Sequence, residues 1–312
     1  VKPATIVRVM RWGFACALLV QAGPAMPQSS EYSFAVISQA PNASDDLALR
    51  TAIAQTDDDN LAFVVASGFK SNTEPCSDEL YNDRKTLLDE AKNGLIVSLT
   101  ANDWTECKNS YGGAAAIERL SRLRELFFVD DFSLGASKIP LVRQSTMPKF
   151  RSYVENARWE IDDVLFATLN LPATNNHYRT EAGRNSEFED RLIANRDWLR
   201  RTFALATNRK MAGIVLFCDG NPLAIPKSRR LFDASGKRNG FAEVHKQIIA
   251  LASRFAGKLL VIHNAVGPAS NAASGIAWRA NMGDLALGPG WRKVNINPGS
   301  TTLFTLADGI RR

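Results

Sequence analysis

The chain has 312 residues, 45% of them hydrophobic and 22% charged, with 20 Gly, 13 Pro and 9% aromatic residues. This composition excludes a disordered, collagen-like or disulfide-dense protein, and the length supplies a core that folds without staples. The formal charge is +6, but Lys2, Arg8 and Arg11 all precede the first acid, Glu31. The basic excess over the rest of the chain is about half as large, too mild to mark a nucleic-acid or anionic-membrane surface.

Residues 1–25 read as a secretory signal: a basic stretch, a short apolar run at 12–20, and small residues around Ala22 and Ala25 for cleavage. The apolar run is about half of the roughly 20 residues that a membrane span needs. A short linker at 26–31 then leads into an α/β domain expected at 32–308. The expected location is a bacterial periplasm or the exterior, with no transmembrane segment in the mature chain.

Strand-like apolar runs follow at 32–38, 61–67, 95–100, 164–171, 213–218 and 258–263, each bounded by Gly, Pro, Asn or Asp. Helical patterns separate them at 44–55, 77–92, 114–128, 186–208 and 240–255. Ser186 with Glu189 has the form of a capping box. Residues 291–297 and 302–306 flank Pro298-Gly299 and read as a hairpin. The segment 222–239, with Pro222, Pro226, Gly236 and Gly240 along or beside it, reads as a mobile loop. Near-continuous apolar strands imply sheets covered on both faces, so the expectation is a single α/β domain.

Four cysteines are present, and Cys16 falls in the signal. Cys76 and Cys107 both sit just beyond the ends of successive strands, where a disulfide fits; Cys218 ends an apolar strand and reads as a buried thiol. Open α/β sheets place ligands at the carboxyl ends of their strands, which here are polar and rich in Asn. That pattern suits either a ligand crevice or ordinary turn chemistry.

At those strand ends the sequence resembles the calcineurin-like metallophosphoesterases, and is most similar to an exported bacterial branch of them, over about 32–306. The resemblance is carried by Phe34-Ala35-Val36-Ile37-Ser38, by Lys70-Ser71 with Cys76-Ser77-Asp78, and by Asn102-Asp103-Trp104-Thr105-Glu106-Cys107. Glu118-Arg119-Leu120, Glu155-Asn156-Ala157-Arg158-Trp159, and Asn170 with Asn175-Asn176 extend it. It implies a β-sandwich core flanked by helices, and phosphoester hydrolysis by two metal ions held at strand ends.

The ligand positions depart from that pattern. Gln39 stands where the family's first Asp belongs, and Gly68 is followed by Phe69 rather than by the bridging Asp. Ala101 and Ala265, Gly267 occupy further degenerate positions, and only His263 remains of the last motif. Asn102, Asp219 and His263 are the remaining candidate metal ligands and Asp103 the candidate catalytic acid. Asn102 and Asp103 read equally as a turn cap, and His263 as a structural histidine. Asn175, Asn176, His177 and Asn221 are candidate crevice residues.

Two divalent ions a few Å apart repel strongly and need several anionic ligands, so losing two carboxylates leaves the expected site without a dimetal centre. The sequence therefore implies no cofactor, and a non-catalytic relative that holds a small ligand or a protein at the crevice. The alternative is a hydrolase with a rebuilt, mononuclear site using Mn, Fe or Zn.

Overall fold

The computed structural model describes residues 1, 30–179, 185–224, 238–264 and 275–307. Most of the expected signal segment, positions 225–237 of the expected mobile loop, and Ala265 and Gly267 lie outside the described residues.

Twelve strands among the described residues form two mixed sheets. In the first, β1 (Tyr32–Ser38), β2 (Val64–Ser67) and β3 (Leu95–Ser98) run parallel, while β11 (Gly290–Ile296) and β12 (Phe304–Leu306) join antiparallel at the β1 edge. In the second, β6 (Val164–Thr168), β7 (Gly213–Phe217), β8 (Lys258–Asn264) and β10 (Met282–Leu287) are parallel. β5 (Ala157–Ile161) and β4 (Val142–Arg143) extend that sheet antiparallel on one side, and β9 (Ala277–Arg279) on the other.

The period of two along each strand sorts its side chains into layers. Phe34 and Val36 of β1 join Phe166, Val215, Phe217, Leu260 and Ile262 of the second sheet in one core, so the sheets meet face to face. Aromatic rings fill it: Phe34 stacks on Phe63 at 5.0 Å, and Trp159 stacks on Phe217 at 5.8 Å. Truncating any of these rings to Ala would cost about 3–5 kcal/mol.

The alternate residues Ala35 and Ile37 face outward, under α1 (Leu47–Asp57), α2 (Asp78–Asp89) and α4 (Ala116–Phe127). On the far side α5 (Ser186–Asn208) and α6 (Ala242–Ala252) cover the second sheet. The expected α/β class is present, as two mixed sheets between helical layers. No helix among the described residues is long and apolar enough to cross a membrane.

Three local differences from the sequence reading have physical causes. The capping box expected at Ser186 is absent: Asn185 is the N-cap, and its side chain bonds the backbone of Arg179 instead. A capping box forms at α3 (Ala101–Trp104), between Thr100 and Asp103. The strand β5 was not expected. It pairs with β6 across Asp162-Asp163, and Asp162 takes a left-handed φ of 49°, as tight hairpin turns require.

Candidate functional site

The carboxyl ends of both parallel sets converge. β1 and β2 end in Ser38 and Ser67, and β8 ends in Asn264. Asn264 Oδ1 accepts hydrogen bonds from Ser38 Oγ at 2.8 Å and Ser67 Oγ at 3.3 Å, while its Nδ2 donates to Asp219 Oδ1 at 2.9 Å. Asp219 Oδ2 accepts from the backbone N–H groups of Ala101 and Ala173, each at 2.7 Å. One buried carboxylate and one amide thus tie β1, β2, the start of α3, the turn after β6, the end of β7 and the end of β8. Burial raises Asp219 above the usual carboxylate range, against the pull of its donors.

Above this clasp lies a cavity of about 390 Å³, lined by Gln39, Pro41, Asn42, Asn102, Thr174, Leu287 and Pro289 among others, with Asp219 and Asn264 at its base. The volume falls at the small end of ordinary ligand sites, roughly 300–1,000 Å³. Asn102 is half-buried here. Gln39 also lines the cavity, yet both of its amide atoms are enclosed and lack hydrogen-bond partners among the described residues.

The other candidates lie elsewhere. Asp103 is fully buried and accepts from Phe69 N, Thr100 N and Thr100 Oγ1. Burial pushes it up to about 6, although those hydrogen bonds and the Lys70 charge pull the other way. His263 does not line the cavity: its Nε2 faces Asp284 Oδ1 at 2.8 Å and its Nδ1 the Asn264 carbonyl at 2.9 Å. Burial would raise Asp284, but the hydrogen bonds from His263 and Asn221 hold it below the usual carboxylate range. Asn221 also accepts from Leu223 N and Ala224 N in a local turn.

Gly68 has a steric role in this chain. Its φ is +76°, and a Cβ there would lie 2.7 Å from Thr100 Oγ1. Asn175, Asn176 and His177 are three successive left-handed residues. The side chains of Asn175 and Asn176 bind the backbone of Arg238 and Gly240, and His177 lines a different cavity, beside Arg179. The Cys76–Cys107 disulfide is present, with Cα atoms 5.7 Å apart, and Cys218 is a buried free thiol.

A dimetal centre does not fit these residues. A metal ligand needs a lone pair turned toward the ion, whereas the oxygens of Asp219 and Asp103 face protein donors and both nitrogens of His263 face oxygens. Among the described residues no three His, Cys, Asp or Glu side chains group closely enough to hold a metal. Sequence reading missed Ser38, Ser67, Asn264 and Asp284. The first three carried a signal, being hydroxyl and amide residues at the ends of apolar strands. Asp284 carried none, because its strand was not foreseen.

Comparisons with known proteins add little. No family model matches the chain, and no curated protein matches it. Among solved structures, GAP50, described as the anchor in the inner membrane complex of Plasmodium, is 10% identical with a TM-score of 0.48, covering 86% of this chain and 82% of its own. A further solved structure is 13% identical with a TM-score of 0.39, covering 86% of this chain and 95% of that one. Superpositions this loose leave the functional question to the residues themselves.

Proposed function

We propose that this chain is a metallophosphoesterase-like protein that has given up dimetal chemistry and uses the strand-end cavity to hold a small ligand or a partner segment. The observation that carries the reading is the clasp: Asp219 accepts from three protein donors and is linked through Asn264 to Ser38 and Ser67. Hydroxyl, amide and backbone groups occupy the carboxylate and amide oxygens that a metal ion would otherwise use. The disulfide fits an oxidising compartment; with the basic and apolar character of residues 1–25 it supports export to a periplasm or beyond.

The alternative, a rebuilt single-metal hydrolase, draws on Asn102 and Asp219 lining one cavity. It requires Asp219 to release backbone donors that hold the loops in place. Purified exported protein, incubated with manganese, zinc or iron, separates the two. The expected result is substoichiometric metal and no turnover of p-nitrophenyl phosphate or its diester. One metal per chain, with turnover that disappears in Asn102→Ala, would establish the hydrolase instead.

A further inference from the structure

The period of two along β5 sends Ala157 and Trp159 into the core between the sheets and turns Arg158 to the opposite face, under α5. There its guanidinium lies over the ring of Trp198, 5.0 Å from the centroid. β4, beside it at the sheet edge, is only two residues long. Between this short edge and the middle of α5 runs a groove of about 310 Å³, at the small end of ordinary ligand sites. It shares no lining residue with the strand-end cavity.

The groove joins apolar surface to positive charge. Val142, Met147, Trp198 and Leu205 supply hydrocarbon and ring, and Arg158 and Arg201 supply the charge. Among the described residues no acidic side chain lines it. Arg201 gives only its Nε to a hydrogen bond among the described residues, with Asp197 Oδ2 at 2.6 Å.

Arg158 is the sharper pointer. It is half-buried, yet its guanidinium has neither an ion pair nor a hydrogen-bond acceptor among the described residues. Its nitrogens are not sealed off, so a ligand can reach them. Burial lowers its pKa, and Arg201 and Arg209 add their repulsion against the pull of Glu160. The nearby acids are engaged elsewhere: Glu160 pairs with Arg209, and Asp197 with Arg200 and Arg201. An arginine stays charged at any working pH, and a charge drawn out of water without a partner is costly. An anion seated in the groove would relieve that cost.

The lining also sets the kind of anion. A guanidinium fork holds a carboxylate by two parallel hydrogen bonds. One unanswered guanidinium, with Arg201 shared with Asp197, matches a single negative charge. The apolar residues around it call for a hydrocarbon body attached to that charge.

We propose that the groove between α5 and the β4–β5 edge binds a small amphipathic monocarboxylate. Arg158 and Arg201 hold the carboxylate, and the hydrocarbon body lies against Val142, Met147, Trp198 and Leu205. The site is separate from the strand-end cavity and stands whether or not the function proposed there holds.

The test is NMR on the full chain, titrated at constant ionic strength with octanoate, octanol, acetate and octyl phosphate. Octanoate should give saturable shifts of the Val142, Met147 and Leu205 amides, the Trp198 indole N–H and the Arg158 Nε–H. Octanol and acetate each carry one part of the recognised chemistry and should bind at least about tenfold more weakly. Arg158→Met keeps an apolar stem and should weaken octanoate binding by about tenfold, with octanol bound as by the parent. Arg158→Lys, which keeps the charge without the fork, should fall between the two and carries the comparison if Arg158→Met fails to fold. The proposal is overturned if octanoate does not saturate these signals, or if its shifts gather around Asn102. It is equally overturned if octanol or acetate binds as tightly, if octyl phosphate binds more tightly, or if the Arg158 variants titrate like the parent.

Discussion

Asp219→Ala tests the clasp directly. The substitution takes the acceptor from the N–H groups of Ala101 and Ala173 and from the Nδ2 of Asn264, at the base of the strand-end cavity. Each orphaned donor costs about 1–3 kcal/mol. Removing a buried, raised carboxylate returns part of that, so the net loss should be roughly 3–6 kcal/mol. This is a large share of the ~5–15 kcal/mol available to a folded domain. Ser38→Ala, which removes one of two donors to Asn264 Oδ1, should cost only about 0.5–1.5 kcal/mol. Urea unfolding of the oxidised protein reads both, as a lower midpoint at unchanged slope. A loss under ~1 kcal/mol for Asp219→Ala, set against that range, would refute the reasoning. So would a parent protein stabilised by manganese or zinc through Asp219, because the carboxylate would then be a ligand in waiting.

Three further outcomes are expected. Gln39→Met keeps the side-chain shape and removes two enclosed polar atoms that have no hydrogen-bond partner among the described residues; a gain of about 1–3 kcal/mol should raise the melting temperature by several degrees. Reducing Cys76–Cys107, which closes a loop of 31 residues, should lower stability by roughly 3–4 kcal/mol, measured against the Cys76→Ser, Cys107→Ser double variant. His177 should make the protein acid-sensitive. Its folded pKa is lowered from 6.5 to about 4, so the unfolded chain takes up the proton first as pH falls. The stability it contributes is complete above pH 6.5 and lost as pH falls through about 4. The difference in urea midpoint between parent and His177→Gln should therefore change across that window and be flat above it.

Much of the framework was legible because it is local. The six apolar runs became strands and the five amphipathic patterns became helices. The span 186–208 agrees with α5 to the residue, since a long period of 3.6 leaves little freedom. Boundaries were less exact: the second run was read from 61, whereas the strand begins at Val64, although Ala62 and Phe63 already hydrogen-bond the backbone of β1. β4, β5, β9 and β10 were missed. β5 interleaves Arg158 and Glu160 with apolar residues, and in β10 Gly283, Asp284 and Ala286 dilute the apolar signal. At the site, residue types were readable and pairings were not. Asp103 could be read as an acid or as a cap, and only the positions of Phe69 N and Thr100 N fix it in the capping role. Asn264 looked like any strand-end amide. That it joins two sheets follows from segments more than 190 residues apart meeting at its side chain.

The central place of β11 bears on how the protein comes to be folded. This strand lies between β1 and β12 and pairs with β1 along all seven of its residues. During synthesis β1 must wait, one flank bare, for a partner made more than 250 residues later. Pairing across so long a stretch of sequence slows folding, because the loop between the strands must close before the contact forms.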